Sequence, residues 1–233
     1  MSPTLPHFWP NGTVYGTLLN FQAERAALAA QMTQPPYKAP PQAPVLFVKT
    51  ANTWNTSGHG QPAPVPVPAH VPQVEVGATI AMVIGAVTPA AGAWPAAPFV
   101  AAYVLMNDLS VPHASFFRPP VKFKCLDGFL GVGSQLVGAD QVGDPAHLKL
   151  QVHINGQLRQ TVDFSQMVRS ATQLLADVNE FMTLREGDVL MLGCDCLPGG
   201  GRPVARVGDR IDIRVQGMPA FGTLSNTLVA EAS

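Results

Sequence analysis

Residues 100–133 read VAAYVLMNDLSVPHASFFRPPVKFKCLDGFLGVG. An apolar run, Phe99 to Met106, leads into Asn107-Asp108-Leu109-Ser110, and a second polar knot, Lys124 to Phe129 (KCLDGF), follows. One carboxylate, Asp108, and one lysine, Lys124, thus stand at the ends of strand-like runs. That arrangement suits a site for an anionic substrate, although Asn-Asp after an apolar run is also ordinary turn chemistry. Lys122 and Lys124 read as one face of a strand, where lysines are usually solvated. With Arg118 just upstream, the three cations would suit a substrate bearing several carboxylates.

Outward from this stretch the pattern stays β-rich. Val45 to Lys49 and Thr79 to Gly85 read as short apolar strands, and Pro62 to Pro72 (PAPVPVPAHVP) as an extended edge segment, because Pro cannot donate to a ladder. Lys149 to Ile154 and Gln157 to Val162 flank Asn155-Gly156, the signal of a type I′ hairpin. Apolar residues three and four apart from Met167 to Phe181 predict a helix over Ser165 to Phe181, capped by Asp163 or Ser165. Gly-Asp turns at Gly187-Asp188 and Gly208-Asp209 lead into strands Val189 to Gly193 and Ile211 to Val215. At the N-terminus Thr13 to Phe21 reads as a strand, Gln22 to Met32 as a helix of strong helix formers, and Thr33 to Pro44 as a Pro-rich connector. The order predicts a β-dominated α+β domain over residues 44–233, preceded by a strand–helix extension over residues 1–43.

The chain is 47% hydrophobic and 12% charged, with net charge −1. A lightly charged surface leaves room for subunit contacts, so an oligomer is expected. The absence of a basic excess argues against nucleic acid. No 18-residue apolar stretch suits a membrane span, and the first residues do not read as a signal peptide, which makes the cytoplasm the expected compartment. Cys125, Cys194 and Cys196 are too few for a disulfide scaffold, and Cys194-Asp195-Cys196 without further ligands is a poor metal motif. Of the scattered histidines, His59 in a Gly-flanked loop is kept as an acid/base candidate. Gly199-Gly200-Gly201 lacks the context of a phosphate loop, and no Gly-x-Ser-x-Gly elbow supports a serine hydrolase.

Several segments in order resemble the fumarylacetoacetate hydrolase family: PVLFVKTANT (44–53), VGATIAMVIG (76–85), AAYVLMNDLS (101–110), KCLDGF, the VHINGQLRQ hairpin with the helix after it, and LREGDVLMLG. PYKAPP (36–41) and SFFRPPVKFKCLDGF (115–129) are similar to the N-terminal half of its bifunctional isomerase/decarboxylases of 4-hydroxyphenylacetate (homoprotocatechuate) degradation. The resemblance implies a mixed β-sandwich roll. It also implies decarboxylation of 5-oxopent-3-ene-1,2,5-tricarboxylate and isomerisation of 2-hydroxyhepta-2,4-diene-1,7-dioate.

Metal-dependent members hold Mg²⁺ or Mn²⁺ with a Glu-x-Glu on one strand and an Asp after the next, since residues i and i+2 share a face. Here the two Glu positions fall on Gly77 and Thr79, and Asp108 alone remains. Glu75 lies on the same face but about 6 to 7 Å further along. The Thr-Gly-Thr-Pro run of many members is Leu192-Gly193-Cys194-Asp195. The resemblance therefore implies a degenerate metal site, with the metal held mainly by a homologous partner subunit. In this reading Lys124 holds a carboxylate or developing oxyanion, and Lys49, Arg118 and Lys122 bind the remaining carboxylates. Asp108 positions Lys124 or completes a weak metal site. The alternatives are a non-catalytic partner subunit, an acylpyruvate-type C–C hydrolase of the same family, and a binding domain without chemistry.

Overall fold

A computed structural model describes residues 8–56, 61–85, 99–113 and 120–232. Among them an eight-stranded sheet runs in the order Val45–Lys49, Val14–Leu18, Val189–Met191, Ala78–Ile84, Val100–Asp108, Leu130–Val132 and Trp54–Thr56, with Val137–Gly138 also on Val100–Asp108. Val45–Lys49 and Trp54–Thr56 are joined by only a few residues yet occupy opposite ends of this order. The sheet must therefore curl until its two ends nearly meet. That curl brings Lys49 across to the end of the Val100–Asp108 strand.

The central strand Ala78–Ile84 is buried along its whole length. Ile80, Met82 and Ile84 point into the main core, while Ala81 and Val83 belong to a second apolar cluster on the opposite face. A strand buried on both faces reads as a continuous apolar run rather than an alternating one, as ATIAMVI does. Against the first face packs a five-stranded sheet: Gln157–Asp163, Lys149–Ile154, Arg210–Val215, Thr223–Ala230 and Ala63–Val67. Ala63–Val67 is its edge, paired parallel with Thr223–Ala230. Ala63, Val65 and Val67 are buried there, and Pro64 and Pro66 alternate with them. The prolines thus fall at every second position of an edge strand, where a missing N–H is tolerated. A two-stranded pair, Val74–Glu75 with Val204–Ala205, completes the architecture.

The helix Gln22–Met32 has the predicted bounds. In the Asn155-Gly156 turn both residues have positive φ, 51° and 78°, as a type I′ turn requires. Asp188 and Asp209 close matching turns, each carboxylate accepting the N–H of the Arg three residues earlier, Arg185 and Arg206, at 2.8 Å. The strand Val14–Leu18 lies inside the large sheet, hydrogen-bonded to Val45–Lys49 and to Val189–Met191.

Two expectations are corrected. The helix predicted over Ser165 to Phe181 covers only Ala171–Asn179, where Ser170 accepts from the Gln173 N–H. Phe164–Gln166 is a separate 3₁₀ turn capped by Asp163. Between them the Val168 N–H donates to Asn20 O and the Arg169 N–H to Asn20 Oδ1. Those bonds take the backbone out of the helix. The second correction is Val121–Lys124, a single helical turn rather than a strand. Phe123 and Lys124 both donate to the Pro120 carbonyl.

Candidate active site

Asp108 ends its strand fully buried, and its N–H is tied to Gly77 O at 2.8 Å. Three cations among the described residues face its carboxylate. Lys124 Nζ donates to Oδ2, Lys49 Nζ lies 3.0 Å from Oδ1, and Arg202 Nη1 lies 3.6 Å from Oδ2. Burial alone would raise the Asp108 pKa, but the charges of Lys124, Lys49 and Arg202 outweigh it and hold the group well below the usual carboxylate range.

Each cation is delivered by a different element. Lys49 ends the Val45–Lys49 strand and points inward with Phe47. Its ammonium donates to the carbonyls of Leu109 (3.1 Å), Lys124 and Phe129 (2.7 Å). Burial pulls its pKa down to about 8, against the pull of Asp108 upward, so it remains charged at neutral pH. With its protons committed to protein oxygens, Lys49 ties three loop carbonyls and Asp108 together. Lys124 ends the Val121–Lys124 turn, buried over the Phe47 ring at 4.5 Å. Arg202 leaves the Gly199-Gly200-Gly201 loop, whose residues all have positive φ. That loop is closed by Leu197 N–H to Gly201 O and Gly200 N–H to Leu197 O. Val76 N–H to Pro203 O and the Val204–Ala205 pairing then pin Arg202 beside Gly77.

Glu24 comes from the first turn of the Gln22–Met32 helix and accepts from the Leu19 N–H at 2.6 Å. Its Oε1 lies 3.5 Å from Arg202 Nη2. Burial pushes the Glu24 pKa up, with Arg202 acting against it. A cavity of about 120 Å³ opens here, with Glu24, Glu75, Ser110, His113, Lys124 and Arg202 among its walls. Ser110 donates to Glu75 at 3.3 Å. His113 is stacked on Phe123, with Nδ1 2.9 Å from the Val111 carbonyl. Since a carbonyl only accepts, Nδ1 carries the proton there.

The structure thus brings together Asp108, Lys124 and Lys49 of the residues singled out in the sequence. It does not bring Lys122, which lies in a separate surface depression with Phe123 and Leu126. One helical turn separates side chains two apart onto different faces. Arg118 and His59 lie outside the described residues. Arg202, Glu24 and His113 were missed. Arg202 follows three glycines and looked like part of a loop, and Glu24 sits in an Ala-rich helix with no motif of its own. No sequence signal short of the fold places either at the cavity.

The residues present do not fit a divalent ion. Asp108 is engaged by cations on both oxygens. Thr79 donates its hydroxyl to Gly193 O at 2.5 Å. A Cβ at Gly77 would overlap the Asp108 carbonyl oxygen and come within 3.2 Å of Arg202 Nη1. Among the described residues no three of His, Cys, Asp and Glu are grouped to hold a metal.

A profile of the fumarylacetoacetate (FAA) hydrolase C-terminal family matches residues 13–229, and the chain belongs to that family. The 4-hydroxyphenylacetate degradation bifunctional isomerase/decarboxylase of Salmonella dublin is 36% identical over 220 residues, covering 94% of this chain and 48% of that protein. The chain thus spans about half the length of this relative. The 5-carboxymethyl-2-hydroxymuconate delta-isomerase of Mycobacterium smegmatis superposes with a TM-score of 0.65 at 26% identity, covering 95% of this chain and 80% of that one. The fumarylpyruvate hydrolase of Pseudomonas aeruginosa, solved with Mn²⁺ and pyruvate, gives 0.73 at 23% identity, covering 99% of both, and shows the shared fold. Among the described residues no helix is long and apolar enough to cross a membrane.

Proposed function

We propose that this chain is one half of an isomerase/decarboxylase acting on 5-oxopent-3-ene-1,2,5-tricarboxylate and 2-hydroxyhepta-2,4-diene-1,7-dioate, and that it works with a homologous half carrying the metal. The observation that carries this reading is the presence of Lys124, Arg202 and Glu24, each of low exposure, in the wall of one cavity. Decarboxylation and enol–keto isomerisation both build negative charge on an oxygen next to a carbon that must gain or lose a proton. Fixed cations stabilise the oxygen in a site that excludes water. A carboxyl whose pKa burial has raised can carry the proton. Lys124 fills the first role and Glu24 the second, with the Arg202 charge beside them. Asp108 is a positioning residue that holds Lys124 in place, with Lys49 behind it. Mg²⁺ or Mn²⁺, if held by the partner half, would supply Lewis-acid polarisation of a substrate ketone there.

The alternative of a non-catalytic partner is favoured by one observation: the Asp108 carboxylate is already ion-paired with Lys124 and Lys49. Turnover of the dienoate, followed by its ultraviolet absorbance, separates the two readings. The experiment uses this chain mixed with a homologous chain bearing the complete Glu-x-Glu and Asp set. Glu24→Gln in this chain is expected to slow the mixture by 10²-fold or more, on the order of a lost general acid–base group. An unchanged rate with Glu24→Gln and Lys124→Met would leave this chain a structural partner.

A further inference from the structure

We infer that the Arg202 guanidinium occupies the place a divalent ion takes in metal-dependent relatives, and that with Lys124 it forms a metal-independent anchor for the carboxylate of a 2-keto acid. The inference rests on the reading of the cavity as a keto-acid site and names the group that holds the acid.

Position comes first. Carboxylates at 77 and 79 would converge with Asp108 on a point between the two strands. What stands there is Arg202: its Nη1 is 3.6 Å from Asp108 Oδ2 and 3.2 Å from where a Cβ on Gly77 would lie. Gly77 is required by this arrangement, because any side chain would also meet the Asp108 carbonyl, which the backbone has closed upon. Charge is the second point. A divalent ion with three carboxylates sums to −1, and one guanidinium with one carboxylate sums to zero, so the exchange leaves the local charge nearly as it was. The third point is availability. Arg202 is only 8% exposed, yet its ion-pair contacts with Asp108 and Glu24 are 3.5–3.6 Å long. That exceeds the roughly 2.7–2.9 Å of a charge-assisted hydrogen bond. Asp108 is meanwhile matched by Lys124 and Lys49. A buried guanidinium in a cavity wall, with donors not drawn into tight bonds, is suited to a carboxylate, which it binds through two parallel N–H donors. Glu75 in the same wall repels a second carboxylate, so one acid head enters and the rest of the substrate extends outward.

Isothermal titration of the purified chain with 2-oxoadipate, in EDTA and again in Mn²⁺, tests this. Expected are equal affinities, within twofold, in the two buffers, and a loss of 30-fold or more in Arg202→Met. Arg202→Lys, which keeps the charge but not the planar fork, is expected to bind about tenfold more weakly; it serves if Arg202→Met does not fold, as judged by near-ultraviolet circular dichroism. Binding that requires Mn²⁺, or a folded Arg202→Met or Arg202→Lys with wild-type affinity, overturns the inference. So does an absence of binding in either buffer. The turnover assay with the partner half stands apart from these results, so failure of the anchor and failure of the proposed function are told apart.

Discussion

Asp108 shows how one residue carries both structure and site. Removing its charge leaves Lys49 and Lys124 buried without their shared counter-ion. Asp108→Asn is therefore expected to lose about 3–5 kcal/mol of stability, the usual cost of breaking a buried ion pair from one side, read by urea denaturation at pH 7. The pH dependence has a definite sign. The folded-state pKa of Asp108 lies below the ordinary 3.8, so on acidification the unfolded chain takes up this proton first. Its stabilising contribution is complete above that ordinary value and drains away as the pH falls toward the folded-state one. Between pH 4 and pH 2, Asp108→Asn should show a shallower fall in stability than the wild type; an equally steep fall would remove Asp108 from the acid response. Asp108 and Lys124 were legible in the sequence because both stand at the ends of apolar runs. Lys49 was legible as a cation, but not as the tie that draws the Leu109, Lys124 and Phe129 carbonyls together. Arg202 and Glu24 were not legible, since each acquires its environment from partners far away in the chain.

At the scale of elements, legibility follows the range of the cause. The hairpin turn was readable because Asn155-Gly156 sets its own backbone. Gly156→Ala places a Cβ at φ 78° and is expected to cost about 1 kcal/mol in thermal or urea denaturation, as is Ser170→Ala through loss of the helix cap. The start of that helix was misplaced because Asn20, some 150 residues away in the chain (149 for Arg169), captures the backbone of Arg169. Val121–Lys124 was misread for a different reason. Four residues that alternate apolar and basic fit a strand as well as one helical turn, and the Pro120 carbonyl decides between them. Ala63–Val67 was readable despite its prolines, because their spacing itself marks an edge.

For the whole molecule, the curled sheet does what no single segment does: it joins Lys49, from one end of the strand order, to Asp108 near the other. The chain's length, about half that of its Salmonella dublin relative, bears on assembly. If a homologous half completes the enzyme, mixing the two chains should yield a complex larger than either alone by size-exclusion chromatography with light scattering, and two unshifted peaks would count against the pairing. If Arg202 stands in the place of the ion, stability is not linked to metal. Exhaustive EDTA dialysis should shift the melting temperature of this chain by no more than about 1 °C, whereas a site that bound an ion in its folded state would lose stability on metal removal.

The central claim is that the cavity over Asp108 receives the carboxylate of a keto acid through Arg202 and Lys124. The most direct measurement is a crystal structure of the chain grown with 2-oxoadipate in the presence of EDTA. The account predicts the acid head within hydrogen-bonding distance of Arg202 and Lys124, beside Glu24. An acid bound elsewhere, with Arg202 still turned only toward Asp108 and Glu24, would contradict it.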